Sequence, residues 1–275
     1  ASIRQLIPHG VAADKREAAL LAIRAGSDMD MEGWCYADHL VDLVREGVVP
    51  EEMVDEAVLR ILRVKFQLGL FEDPYRYVDS ERERETIGNP EFRTDAREIA
   101  RRSIVLLKNE QDILPLRRDS RIAVIGPLGD DKDAPLGNWR ARAVSDSAVS
   151  LLEGIRVVQP GVPYARGCAL FTDRSAQVYN TSDRSGFAEA VALAREVDVV
   201  LMAIGEDAYE SGEARCKTDL RLKGLQVELL DAVLEVNPNV VVILSHGRPM
   251  VISSWADRVP AILATWQLGS ESGNA

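Results

Sequence analysis

Residues 199–205 read VVLMAIG, a run without one polar side chain, and Glu206 follows directly. A strand that is apolar at every position needs cover on both faces, as in a parallel sheet packed between helices. Working outward, VVVILS at 240–245 and AILATW at 261–266 repeat the pattern. Shorter β-rich runs precede them at Ile104 to Leu107, Arg121 to Gly126 and Ile155 to Val158. Helical patterns lie between several of these, notably Gly186 to Glu196 and Leu225 to Val236. Strand–helix alternation of this kind predicts parallel pairing with right-handed crossovers. Residues 95–275 are therefore expected to form a doubly wound, mostly parallel α/β sandwich, truncated at its C-terminal end.

The first 70 residues carry a different period. Asp14 and Glu17 have capping-box spacing ahead of Ala18, Leu20, Leu21 and Ile23, with Gly26 as a stop. A second helix is expected around Leu40 to Val44, ending at Gly47. Pro50, Glu51 and Glu52 suit the start of a third, on which Val54, Ala57, Val58, Ile61, Leu62 and Phe66 recur at helical spacing up to Gly69. The intervening AGSDMDM, residues 25–31, leaves room only for a very short strand. Three helices and one strand cannot close a core, so other chain is expected to complete this block. From Glu72 to Arg93 the composition turns to Asp, Pro, Tyr, Arg and Glu without an apolar period, which reads as a linker over 72–94.

Composition removes several function classes. A net charge of -11 argues against a phosphate-backbone partner, since nucleic-acid binders use Lys and Arg to displace counterions. No apolar run is long enough to cross a bilayer. The chain opens on Ala1 without an initiating Met or signal peptide and stops at Ala275 inside a motif, so both ends read as cut. Cys35, Cys168 and Cys216 form no CxxC pair. Cys35 and His39 share a helical face, but two ligands without partners indicate packing, and no metal is expected.

In open parallel sheets, ligands bind beyond the carboxyl ends of the strands. Three loops qualify. The first holds Glu206, Tyr209, Glu210, Ser211, Gly212 and Glu213; the second His246, Gly247, Arg248 and Pro249; the third Gln267, Gly269, Ser270 and Glu271. A carboxyl pair is the usual apparatus of glycoside hydrolysis. Acidic residues after strands are equally common as caps and solvated loops. A Ser211–His246 triad has no GxSxG elbow behind it, and IGPLG at 125–129 lacks the GxGxxG of a phosphate loop.

The ordered series AGSDMDM, VDEAVLRILRVKFQLGLFEDPYRY, RRSIVLLKNEQDILPL, RIAVIGPLGD, SGEARCKTDL, SHGRPMVISSW and ATWQLGSESGNA resembles glycoside hydrolase family 3, in particular its bacterial periplasmic-type β-glucosidases. The resemblance implies that residues 1–71 are the C-terminal part of a (β/α)8-like barrel, ahead of the linker and the sandwich. It implies a retaining, exo-acting β-glucosidase or β-xylosidase, active on β-linked oligosaccharides or glycosides without metal or cofactor, in the periplasm or secreted. The nucleophilic Asp would lie just upstream of residue 1, and this segment alone would be inactive. Glu271 in GSESGNA matches the acid/base. Ser211 matches a residue facing the non-reducing sugar, Glu213 and Arg215 support that loop, and Met31 lines the sugar pocket. Where the family pattern has Ser-Arg after SGEA, this chain has Cys216 and Lys217. A non-catalytic sugar-binding relative and a nucleotide-binding α/β module stand as alternatives, the second lacking a Gly-rich fingerprint.

Overall fold

Capping chemistry starts the first α-helix of the chain, in a computed structural model that describes residues 2–110 and 112–275. Asp14 accepts the Glu17 amide at 2.9 Å, and the Glu17 carboxylate reaches back to the Ala13 amide at 2.7 Å. Helix α1 then runs Lys15–Arg24, followed by α2 (Cys35–Arg45) and α3 (Glu51–Gln67), whose N-cap is Pro50. Ala18, Ala19 and Ile23 of α1 pack with Cys35 and Leu43 of α2, and with Val49 and Ala57. Of the α3 stripe only Ala57 is buried, while Val58 and Phe66 stay exposed. No strand forms over 25–31.

Two compact units divide the chain, Ala1–Ile87 and Gly88–Ala275. The segment 72–94 is not featureless. It contains α4 (Ser80–Thr86), capped by Asp79, and the first turn of α5 (Pro90–Ser103), capped by Asn89.

The second unit is a six-stranded mixed sheet with helices. Its strands are β1 (Val105–Asn109), β2 (Ile122–Ile125), β3 (Tyr164–Ala165), β6 (Val199–Gly205), β7 (Val240–Ser245) and β8 (Ala261–Ala264), and a separate ribbon pairs β4 (Phe171–Asp173) with β5 (Val178–Tyr179). The sheet order is β1-β8-β7-β6-β2-β3. Only β1 runs antiparallel, against β8. Side chains alternate across β6, so Val200, Met202 and Ile204 enter one core while Val199, Leu201 and Ala203 enter the other. Helices α7 (Phe187–Glu196) and α8 (Gln226–Leu234) cover the first face through Ala190, Ala194, Leu229, Leu230 and Val233. Helix α6 (Leu151–Val158) covers the second through Leu152. The apolar β6 is thus explained by cover on both sides.

Helix α6 corrects a sequence expectation. Ile155 to Val158 reads as strand because Ile and Val are β-branched, yet Ser150 and Glu153 close a capping box that starts a helix. Val157 and Val158 project outward, 77% and 81% exposed.

Tight backbone contact aligns the strand ends. Gly205 has φ +149°, and a Cβ there would collide with the Ser245 carbonyl on the paired strand. Any other residue would push β6 and β7 apart where their loops begin.

Candidate active site

Four strand-end loops meet at one turn. Ser211, buried, lies in the loop after β6. Gln267, from the loop after β8, donates to Ser211 Oγ at 3.3 Å. Gly247, from the loop after β7, presses so closely on Ser211 Oγ that a side chain at 247 has no room. Asn138, from the loop after β2, abuts Gly212 in the same way. Trp139, the next residue in sequence, is 73% exposed. Glu213 at that turn is exposed and has no hydrogen-bond or ion-pair partner among the described residues.

Charge balance sits beneath the turn. Glu206 and Glu210 are both buried, and Lys217 bridges them. Burial opposes the Lys217 ammonium, but its bonds to Glu210 and Glu206 prevail and raise its pKa above the ordinary lysine value. Tyr179 donates to Glu210 at 2.6 Å, and burial with that carboxylate pushes the phenol up to about 12. Alongside, Asp133 binds Arg140 and Arg174, and Arg174 also binds Asp207. Burial raises the Asp207 pKa against the pull of the Tyr209 amide and of Arg174. Arg215 donates to Gln177 at 3.1 Å on the edge of that cluster.

Glu271 has a different environment from Glu213. It is 4% exposed, Oε1 accepts from Arg93 Nε at 2.5 Å, and Oε2 accepts from Asn274 Nδ2 at 2.7 Å. Both oxygens are therefore occupied by donors. Ser211, Glu213 and Arg215 share one loop, and Gln267 ties it to the loop that carries Glu271. Met31 belongs to the first unit, where it is 59% exposed.

The remaining motifs resolve into packing. His246 makes no hydrogen bond to Ser211; its ring lies against Trp266 at 4.5 Å. Its Nδ1 has no partner among the described residues. The IGPLG turn leads to a short 3-10 turn at Ala134–Leu136, with Leu128 in the core, rather than to a helix N-terminus. Cys35 is buried in the first core. Among the described residues no group of three or more His, Cys, Asp or Glu is arranged to hold a metal ion, and no helix is long and apolar enough to cross a membrane.

Sequence reading passed over Trp139, Asn138 and the bridging role of Lys217. The signal for the first two was available: a lone Trp in a Gly-Asn-Trp turn shortly after a buried strand, at the sheet end where ligands bind.

Residues 104–275 match the glycosyl hydrolase family 3 C-terminal domain. The chain belongs to glycosyl hydrolase family 3. It is 34% identical to the periplasmic beta-glucosidase of Salmonella typhimurium over 100% of its own length and 38% of the relative's. It is 31% identical to a beta-xylosidase of Formosa agariphila, covering 97% of this chain and 38% of the relative. The crystal structure of beta-glucosidase from Listeria innocua in complex with isofagomine superposes with a TM-score of 0.86 at 33% identity, over 99% of this chain and 36% of that one. The chain thus spans well under half the length of these relatives.

Proposed function

We propose that the whole protein is a retaining, exo-acting β-glycosidase that releases terminal non-reducing β-D-glucosyl residues, or β-xylosyl residues, from oligosaccharides and glycosides. The observation that carries this reading is the meeting of four strand-end loops around Ser211, with the exposed Glu213 in the same turn and the exposed Trp139 next in sequence to Asn138. Sugar sites combine such a hydrogen-bonding rim with an apolar ring face. Residues 1–71 would end a (β/α)8-like barrel, a reading supported by the uncovered stripe of α3, with 72–94 as linker and 95–275 as sandwich. Met31 would line the sugar pocket, Arg215 would steady the Ser211 loop, and the Asp nucleophile would lie upstream of residue 1. A periplasmic or secreted location follows the named Salmonella relative.

In such a reaction the Asp attacks the anomeric carbon while a carboxylic acid protonates the departing oxygen. The resulting carboxylate then takes a proton from the water that cleaves the glycosyl–enzyme bond, and the β configuration returns. Two residues compete for the second role. Family resemblance points to Glu271, which also lies beyond the end of β8. Geometry favours Glu213, which is exposed and unpartnered, whereas Glu271 would first have to leave Arg93 and Asn274.

Glu213→Gln and Glu271→Gln in the full-length enzyme separate them. The acid/base variant loses most on poor leaving groups and regains turnover of an activated aryl glycoside with azide. We expect that pattern from Glu213→Gln. Finding it in Glu271→Gln instead reverses the assignment. Sugar binding without turnover by the unmodified enzyme would identify a non-catalytic relative.

A further inference from the structure

Lys217 places one ammonium between two buried carboxylates. Its Nζ donates to Glu206 Oε1 at 3.0 Å and to Glu210 Oε1 at 2.5 Å, and it lies 5.7 Å from the centre of the Tyr179 ring. Arg248 closes the set from the loop after β7. Its Nε lies 3.2 Å from Glu206 Oε1, and its Nη2 donates to the carbonyls of Glu210 and Arg215. Two carboxylates thus face one ammonium and one guanidinium, and the buried charges cancel.

The sequence positions of these groups matter. Glu206 and Glu210 lie just before the Ser211–Gly212–Glu213 turn, and Arg215 and Lys217 lie just after it. Glu213 has no partner of its own among the described residues, so its placement is inherited from the flanks of its loop. We propose that Lys217 is a positioning residue that pins both flanks and thereby presents Ser211 and Glu213 at a fixed place; this rests on the reading of Glu213 as acid/base. Without the ammonium, Glu210 keeps the Tyr179 hydroxyl and the Asp207 amide as donors but loses its cation. A buried carboxylate without a countercharge is strongly unfavourable, so the loop has to open toward water. Arginine at 217 would supply the same charge with donors for both carboxylates.

The test uses the full-length enzyme. Lys217→Met, Lys217→Arg and Glu213→Gln are compared on an alkyl β-glucoside and a dinitrophenyl β-glucoside. A nitroxide on the exposed Cys216 reports loop mobility, with other accessible cysteines replaced. In Lys217→Met the label should gain mobility. Its kcat/KM on the alkyl glycoside should fall on the order of 100-fold, as for a group misplaced by about 1 Å, and much less on the aryl glycoside. Lys217→Arg should restore both. If Lys217→Met does not fold, Glu206→Gln with Lys217→Gln removes one charge of each sign and takes its place. An immobile label in the folded variant overturns the proposal. So does a mobile label with the two-substrate ratio unchanged while Glu213→Gln alters it. If Glu213→Gln leaves the ratio untouched, the acid/base reading has failed, and the label alone decides for or against Lys217.

Discussion

Arg93 donates its Nε–H to Glu271 Oε1 at 2.5 Å across 178 residues of sequence, which joins α5 to the turn after β8. Arg97, one turn further along α5, donates to the Asn274 carbonyl at 2.5 Å. Both Glu271 oxygens are held by donors, Oε1 by Arg93 and Oε2 by Asn274, which is the arrangement of a structural tie.

If it is a tie, Arg93→Met should cost stability. Full burial of both partners would make the loss several kcal/mol, but the Arg93 side chain is 45% exposed, and solvent screening reduces it to about 1–2 kcal/mol. Urea denaturation of the full-length enzyme measures this. The leaving-group dependence of kcat/KM should stay as in the unmodified enzyme. A variant of normal stability that has lost that dependence would instead connect Arg93 to the acid/base step.

Gly205 offers a sharper stability test. Its positive φ and the approach of the Ser245 carbonyl leave no room for a side chain. Gly205→Ala should destabilise the sandwich by about 3 kcal/mol, combining backbone strain with a forced shift of β7. The expected result is a lowered midpoint in denaturation and loss of soluble enzyme on mild heating. A variant with the unmodified midpoint would mean that the strand ends give way freely.

The parts of this fold that sequence reveals are those decided by local burial. VVLMAIG, VVVILS and AILATW read as doubly covered strands; the first two form over the expected residues and the third stops at Ala264. The misread segment, Ile155 to Val158, shows two local signals in conflict. β-Branched residues favour a strand, but the Ser150–Glu153 cap nucleates a helix whose outer face carries Val157 and Val158 to solvent. Site residues were legible as positions, because loops at strand ends are where ligands bind. Their partners were not. Nothing near Glu271 in the sequence announces Arg93, and nothing near Ser211 announces that Gln267 donates to it. Such contacts depend on how loops from different strands converge.

His246 allows the same convergence to be probed by pH. The ordinary histidine value of 6.5 is lowered by burial, with the Arg248 backbone and the Glu206 charge opposing that shift. The folded imidazole therefore protonates at lower pH than the unfolded one. As pH falls through 6.5 the unfolded chain takes up a proton that the folded chain does not, so the free energy of unfolding declines. The loss continues until the folded imidazole itself is protonated, and above 6.5 this contribution is fully present. His246→Phe keeps a ring against Trp266 and removes the titration and the unpartnered Nδ1. Its urea midpoint should therefore drop less between pH 7 and about pH 5 than that of the unmodified enzyme. Parallel pH profiles for the two proteins would mean that His246 gains its proton as readily in the folded chain as in the unfolded one, by opening the contact with Trp266.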